Sequence, residues 1–200
     1  MKFKFYAIKL TGIIVLVFLL QMIPGFTELF LLDSSKILEI WRFVTSIFLH
    51  GDIAHLLYNM FALLLFGSIL EKLIGEKKFL VVFFVSGILA NLVSINFYST
   101  SLGASGAIFG VIGALIFIRP LLPVWAFGVP MPIFVAGVLW AAGDVIGIFV
   151  PSGIANIAHL SGMLFGLIMG AMFRGKRRKK KSYVDEESVR KWEVSWHGRL

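Results

Sequence analysis

Ser105 stands between Gly103-Ala104 and Gly106, where a short loop enters an apolar run. A serine in that setting can present its hydroxyl, and a neighbouring base turns the hydroxyl into a nucleophile at neutral pH. Histidine is the usual base. His50, His55 and His159 all lie within or beside other apolar runs. His159 is the better candidate for the base, because it sits on a separate run that can approach the serine. His55 and Asn59 are four apart and share one helical face. Acyl transfer needs donors for a developing oxyanion. The His55 imidazole, the Asn59 amide and the Ser105 backbone N–H are the candidates, and the helix-start dipole at Ser105 favours negative charge there. Taken singly, each residue has a plainer reading. A membrane-helix serine often bonds its own backbone, and a lone buried histidine often just satisfies a neighbour.

These residues need elements that bring them together. Six apolar runs lie at about 5–23, 53–70, 79–98, 105–118, 133–150 and 154–173. Several approach the ~20 residues that cross a bilayer core of roughly 30 Å. Helices satisfy the backbone of such segments within lipid, and the runs are continuous rather than alternating, which argues against a barrel. The expected fold is an all-α membrane protein, a six-transmembrane-helix bundle over residues 1–173 with a basic and polar tail over 174–200. The first run lacks a small-x-small cleavage site after it and is read as a retained span.

Basic residues set the orientation. Lys2, Lys4, Lys9, Lys72, Lys77, Lys78, Arg119 and the 174–181 cluster fall on one side, against Lys36 and Arg42 on the other. Both termini are therefore expected in the cytosol. Spans two, four and six then run inward from the outer face. Each carries polar residues near its start: His55 and Asn59, then Ser105, then Asn156 and His159. Intramembrane polar groups are costly and usually functional, and a shared depth for all three sets favours chemistry over three separate structural roles.

Span four is short, about 21 Å at 1.5 Å per residue, so Ser105 is expected below the outer surface in a cavity that water reaches. Gly106, Gly110 and Gly113 stripe that span, and Gly162, Gly166 and Gly170 stripe span six. Small stripes let helices approach closely, which a Ser–His bond between helices requires. Asp144 is expected in the middle of span five, deeper than the serine and on another helix, as a structural or gating group. The loop from Pro24 to Asp52 mixes apolar and charged residues, including Trp41-Arg42, and is expected to dip into the interface.

Composition narrows the classes. The chain is 58% hydrophobic and 15% charged, too apolar for a soluble domain of 200 residues. Its formal charge of +8 is concentrated after the last apolar run, which reads as a membrane-surface anchor rather than a nucleic-acid site. There is no cysteine, so disulfides and thiolate catalysis are excluded. A metal site built from His50, His55 and His159 lacks a carboxylate or HExxH spacing, and no metal or other cofactor is expected. The tail from Ser182 carries no usable motif. Residues 184–194 could form a short helix, and His197 is read as solvated.

The ordered motifs resemble those of the rhomboid intramembrane serine proteases. They are Trp41-Arg42, then His50, His55 and Asn59 as H-x4-H-x3-N, then Gly103-x-Ser105-Gly106, then Ala158-His159-x-x-Gly162-x-x-x-Gly166. Gly67-x-x-x-Glu71-Lys72-x-x-Gly75 also fits, and the likeness runs from about Pro24 to Gly170. The resemblance implies a six-helix rhomboid core with Ser105 as nucleophile and His159 as base, a dyad without aspartate. It implies an oxyanion site of His55, Asn59 and the Ser105 amide, with His50 and Arg42 structural; Gly103, Gly106, Gly162 and Gly166 support the site. The family pattern often has tyrosine four residues after the serine, stacked on the histidine; Phe109 stands there in this chain. The implied substrates are single-pass membrane proteins, cut near the outer end of their helix after a small residue. Sideways access between spans two and five is expected, with span five as the gate. The lipid bilayer, as a plasma membrane, is the expected setting. A rhomboid-like binder without activity is disfavoured by the presence of both Ser105 and His159. A small transporter would require inverted repeats and broken midplane helices, which the sequence does not display.

Overall fold

In a chain this apolar, backbone polar groups must pair within each segment, and the apolar runs fold as helices. The computed structural model describes residues 5–150 and 153–174. Lys2, Lys4 and the tail beyond Arg174, with its proposed helix at 184–194 and His197, lie outside the described residues. In order, the helices are α1 (Tyr6–Leu20), α2 (Phe26–Phe30), α3 (Arg42–Thr45), α4 (Ile53–Ala62), α5 (Ser68–Ile74), α6 (Glu76–Ser94), α7 (Ser105–Ile118), α8 (Ile133–Ile148) and α9 (Asn156–Phe173). A π-helical turn, Leu63–Gly67, joins α4 to α5, so that Ile53–Ile74 is one continuous helix. That helix, α6 and α9 are long and apolar enough to cross a membrane, whereas α1, α7 and α8 are shorter.

Besides shifts of a few residues at helix ends, the structure departs from the sequence expectation in two ways. The second run continues to Ile74 and the third begins at Glu76, so the basic loop expected between them is a single residue, Gly75, at φ +87°. Its N–H donates to the Glu71 carbonyl at 2.9 Å, closing one helix as the next begins. The fold is also not purely α. Strand β1 (Leu32–Asp33) pairs antiparallel with β2 (Thr100–Ser101), and β3 (Pro123–Ala126) pairs with β4 (Val129–Pro132). The β3–β4 hairpin turns on Phe127-Gly128, with φ of +53° and +79°. Two positive φ values are what a tight hairpin of native twist requires. The sequence hides it, because phenylalanine rarely adopts that backbone and the prolines at 123, 130 and 132 read as loop.

Helix α7 is the centre. Residues Gly106 to Leu115 are buried at nearly every position, with α6, α8 and α9 packed around them. The outward faces are apolar: Leu16, Leu57, Phe61, Val138, Ile146, Leu164 and Ile168 are all exposed. Apolar cover this extensive is foreign to soluble monomers. Between helices in lipid, hydrophobic burial gives little drive, so close packing and buried polar links must hold the bundle.

Both are present. A Cβ on Gly162 would overlap the Gly106 carbonyl, and one on Gly166 would overlap the Gly110 carbonyl. The α7 and α9 backbones therefore touch directly. Buried Glu71 accepts the Tyr6 and Ala7 N–H groups at 3.0 Å each, capping α1 with a carboxylate where free amides and the helix dipole favour one. Asn91 on α6 donates to the Phe43 carbonyl at 2.8 Å and to Ser46 Oγ at 3.0 Å. Gln21 exchanges two bonds with the His50 backbone, 2.9 and 3.1 Å long.

Candidate active site

The segment before Ser105 is held by the first loop. Arg42, 3% exposed, donates through Nη1 to the Glu28 and Leu31 carbonyls at 2.8 Å each and through Nε to Glu39 Oε2 at 2.6 Å. One guanidinium thus ties the end of α2 to the stretch that leads into α3, a task suited to its fixed fork of donors. Ser46 Oγ donates to the Arg42 carbonyl at 2.6 Å, and the Ser46 carbonyl accepts the Gly103 N–H at 2.9 Å. The β1–β2 pair and a bond from Ser34 N–H to the Ser99 carbonyl (2.9 Å) fix the same segment from its other side.

That bracing delivers Gly103 in a conformation few other residues would adopt, at φ +127°. A Cβ there would fall 2.8 Å from His55 Cε1, 2.9 Å from His55 Nε2 and 3.8 Å from Ser105 Oγ. The His55 imidazole therefore packs against the bare face of Gly103, and the Ser105 hydroxyl stands close to the same face. Asp52 accepts the His55 N–H at 2.8 Å and starts α4 at that residue. His50 is buried and sets its ring edge-on to His55, with centroids 5.0 Å apart. Asn59, one turn along α4, spends one N–H on the His55 carbonyl at 2.8 Å and keeps a second donor.

His159 comes to this end of the bundle on α9. A Gly106 Cβ would lie 3.5 Å from the Ala158 carbonyl oxygen, and Phe109 stacks on the His159 ring at 4.4 Å with planes 7° apart. Ser105 and Phe109 are one turn apart on the same face of α7. The neighbours of Ser105 on α7 thus touch the neighbours of His159 and His159 itself. Tyr98 Oη accepts the Ile157 N–H at 3.2 Å, tying the start of α9 to the loop ahead of Ser105.

Asp144 departs from the expectation. Expected to lie apart from the candidate dyad, it reaches the candidate base: its Oδ1 lies 3.0 Å from His159 Nδ1. The expected span ran to residue 150, but α8 ends at Ile148 and α9 starts at Asn156. Asp144 is one turn before the end of α8 and His159 one turn into α9, so two antiparallel neighbours bring them level. Counting from the connecting loop outward would have revealed this. Ser46 and Asn91 were also overlooked; a serine and an asparagine in apolar surroundings are weak signals until their partners are known. Among the described residues, no group of three or more His, Asp or Glu is arranged to hold a metal ion.

An apolar helical bundle with a partly buried cluster of serine, histidines and an aspartate at one end defines a helical integral membrane protein. The Rhomboid domain family profile matches residues 38–176. The chain is 33% identical over 141 residues to the rhomboid protease GlpG of Yersinia pseudotuberculosis serotype I (strain IP32953), covering 68% of this chain and 49% of that protein. The protein of the same name from Yersinia enterocolitica serotype O:8 / biotype 1B is 32% identical over the same length and coverage. The chain spans about half the length of the curated relatives it matches. It belongs to the rhomboid family.

Proposed function

We propose that the chain is an intramembrane serine endopeptidase that cuts single-pass transmembrane proteins near the outer end of their helix. Six helices cross the bilayer in this reading, both termini are cytosolic, and the host is the plasma membrane. Ser105 Oγ attacks the scissile carbonyl while His159 takes its proton. The carbonyl oxygen gains the negative charge and is held by the Ser105 N–H, the His55 imidazole and the second N–H of Asn59. Collapse of the tetrahedral species breaks the C–N bond, and His159 returns the proton to the leaving amine. Water from the outer face then hydrolyses the Ser105 acyl ester, with His159 again as base.

The observation that carries this reading is the convergence of His55 Nε2 and Ser105 Oγ on one face of Gly103, 2.9 and 3.8 Å from where a Cβ would stand. A substrate carbonyl brought between those two groups meets a donor at its oxygen while its carbon faces the hydroxyl. The Phe109–His159 stack supports the choice of base, and the relatives' name, rhomboid protease, supports the reaction class. Access between α4 and α8 is part of the proposal, with α8 as the moving element.

The test is cleavage of a single-pass substrate with a small-residue, helix-breaking segment beside its membrane span, in detergent and in liposomes. Wild type should cut, and Ser105→Ala and His159→Ala should not. No cutting by wild type across several such substrates would favour a binding role instead.

A further inference from the structure

His159 is restrained twice. The Phe109 stack fixes the plane of its ring, but stacking leaves the ring free to turn within that plane. The contact from Nδ1 to Asp144 Oδ1, at 3.0 Å, removes that freedom. Both side chains are nearly enclosed, with 12% of His159 and 9% of Asp144 exposed. Asp144 Oδ2 is buried and has no hydrogen-bond partner among the described residues, so the imidazole is the carboxylate's one polar side-chain contact there. An ionised carboxylate only accepts hydrogen bonds. Beside an ionised Asp144 the Nδ1 position carries the proton, which leaves the Nε2 lone pair as the basic site of a neutral ring.

We propose that Asp144 is a positioning residue for His159: it selects the Nδ1–H tautomer and aims Nε2 at Ser105. This rests on the dyad reading above and changes it, from a dyad without a carboxylate to one whose base is oriented from α8. Nothing in the Asp144 role touches substrate. Because Asp144 rides on α8 and His159 on α9, the base is oriented only while those two helices are docked. Displacement of α8 disarms the histidine, and its return re-arms it.

The experiment uses the full chain in detergent micelles with 15N-labelled histidine. Imidazole nitrogen shifts distinguish the two tautomers, and the His159→Gln spectrum identifies the His159 signals among those of four histidines. Wild type should hold His159 as Nδ1–H at neutral pH. Asp144→Asn should move the population toward Nε2–H and lower kcat by about 100-fold with KM within roughly 3-fold, a loss expected of a misassigned base proton rather than of weaker binding. Asp144→Glu should recover kcat to within about 10-fold of wild type, since the carboxylate remains.

An Nε2–H signal for His159 in wild type would overturn the proposal without any variant, so poor folding of Asp144→Asn cannot shield it. Wild-type kcat in a folded Asp144→Asn, with Ser105→Ala inactive, would overturn the proposal and leave the dyad standing. Cleavage that survives Ser105→Ala would overturn the nucleophile assignment instead, and the tautomer would still decide whether Asp144 controls the ring.

Discussion

Gly162→Ala should slow the proposed cleavage through a contact that touches no substrate. The new methyl carbon would overlap the Gly106 carbonyl oxygen and lie 2.9 Å from its carbon and 3.2 Å from its Cα. All three are backbone atoms of a central helix, with no rotamer to yield. Helices α7 and α9 must therefore part, by something on the order of 1 Å. Gly106 adjoins Ser105 and Gly162 lies one turn from His159, so the parting falls on the Ser–His approach. A misplacement of that size costs about 100-fold in rate, and overpacking costs about 1–3 kcal/mol in stability. The matched control is Gly143→Ala on α8, where a Cβ meets nothing within 4 Å. It should leave rate unchanged and, as a helical Gly→Ala change, be neutral or slightly stabilising. The assay is kcat against one membrane substrate, measured well below each variant's Tm, with Tm recorded in the same detergent. If Gly162→Ala kept wild-type kcat, a tight α7–α9 contact would not be what sets the dyad distance.

Other substitutions probe the supports. Gly103→Ala should reduce kcat by about 100-fold with the helical circular dichroism intact, because the methyl group enters the His55 imidazole and the backbone is held at φ +127°. Arg42→Lys should lower stability by about 1–3 kcal/mol in denaturation experiments, since one ammonium cannot serve Glu28, Leu31 and Glu39 together at the observed 2.6–2.8 Å. Glu71→Gln should lower Tm by an amount matching about 1–2 kcal/mol, with kcat preserved at low temperature, because it weakens the α1 cap remote from Ser105.

The parts legible in the sequence were those with a local cause. The bounds of α7 at Ser105 and Ile118 match the reading, since Gly103 loosens the backbone before it and Pro120 ends it. The close α7–α9 contact was foreshadowed by the two glycine stripes, whose members meet as Gly106 with Gly162 and Gly110 with Gly166. What escaped was set by partners distant in sequence. Gly75 alone separates two long helices, because one residue at positive φ suffices where a loop was expected. The β1–β2 pair joins residues nearly seventy positions apart, and no pattern in either strand names the other. Asp144 was misjudged because its depth was read from the middle of its own span; counted from the connecting loop, it lies four residues before the end of α8 and His159 three residues after the start of α9.

The most direct test of the central claim is to label the purified protein with a fluorophosphonate, which phosphonylates activated serines, and to map the adduct by mass spectrometry. The account predicts one adduct, on Ser105, present in wild type and absent in His159→Ala. An adduct on another serine, or a Ser105 adduct formed equally fast without His159, would contradict it.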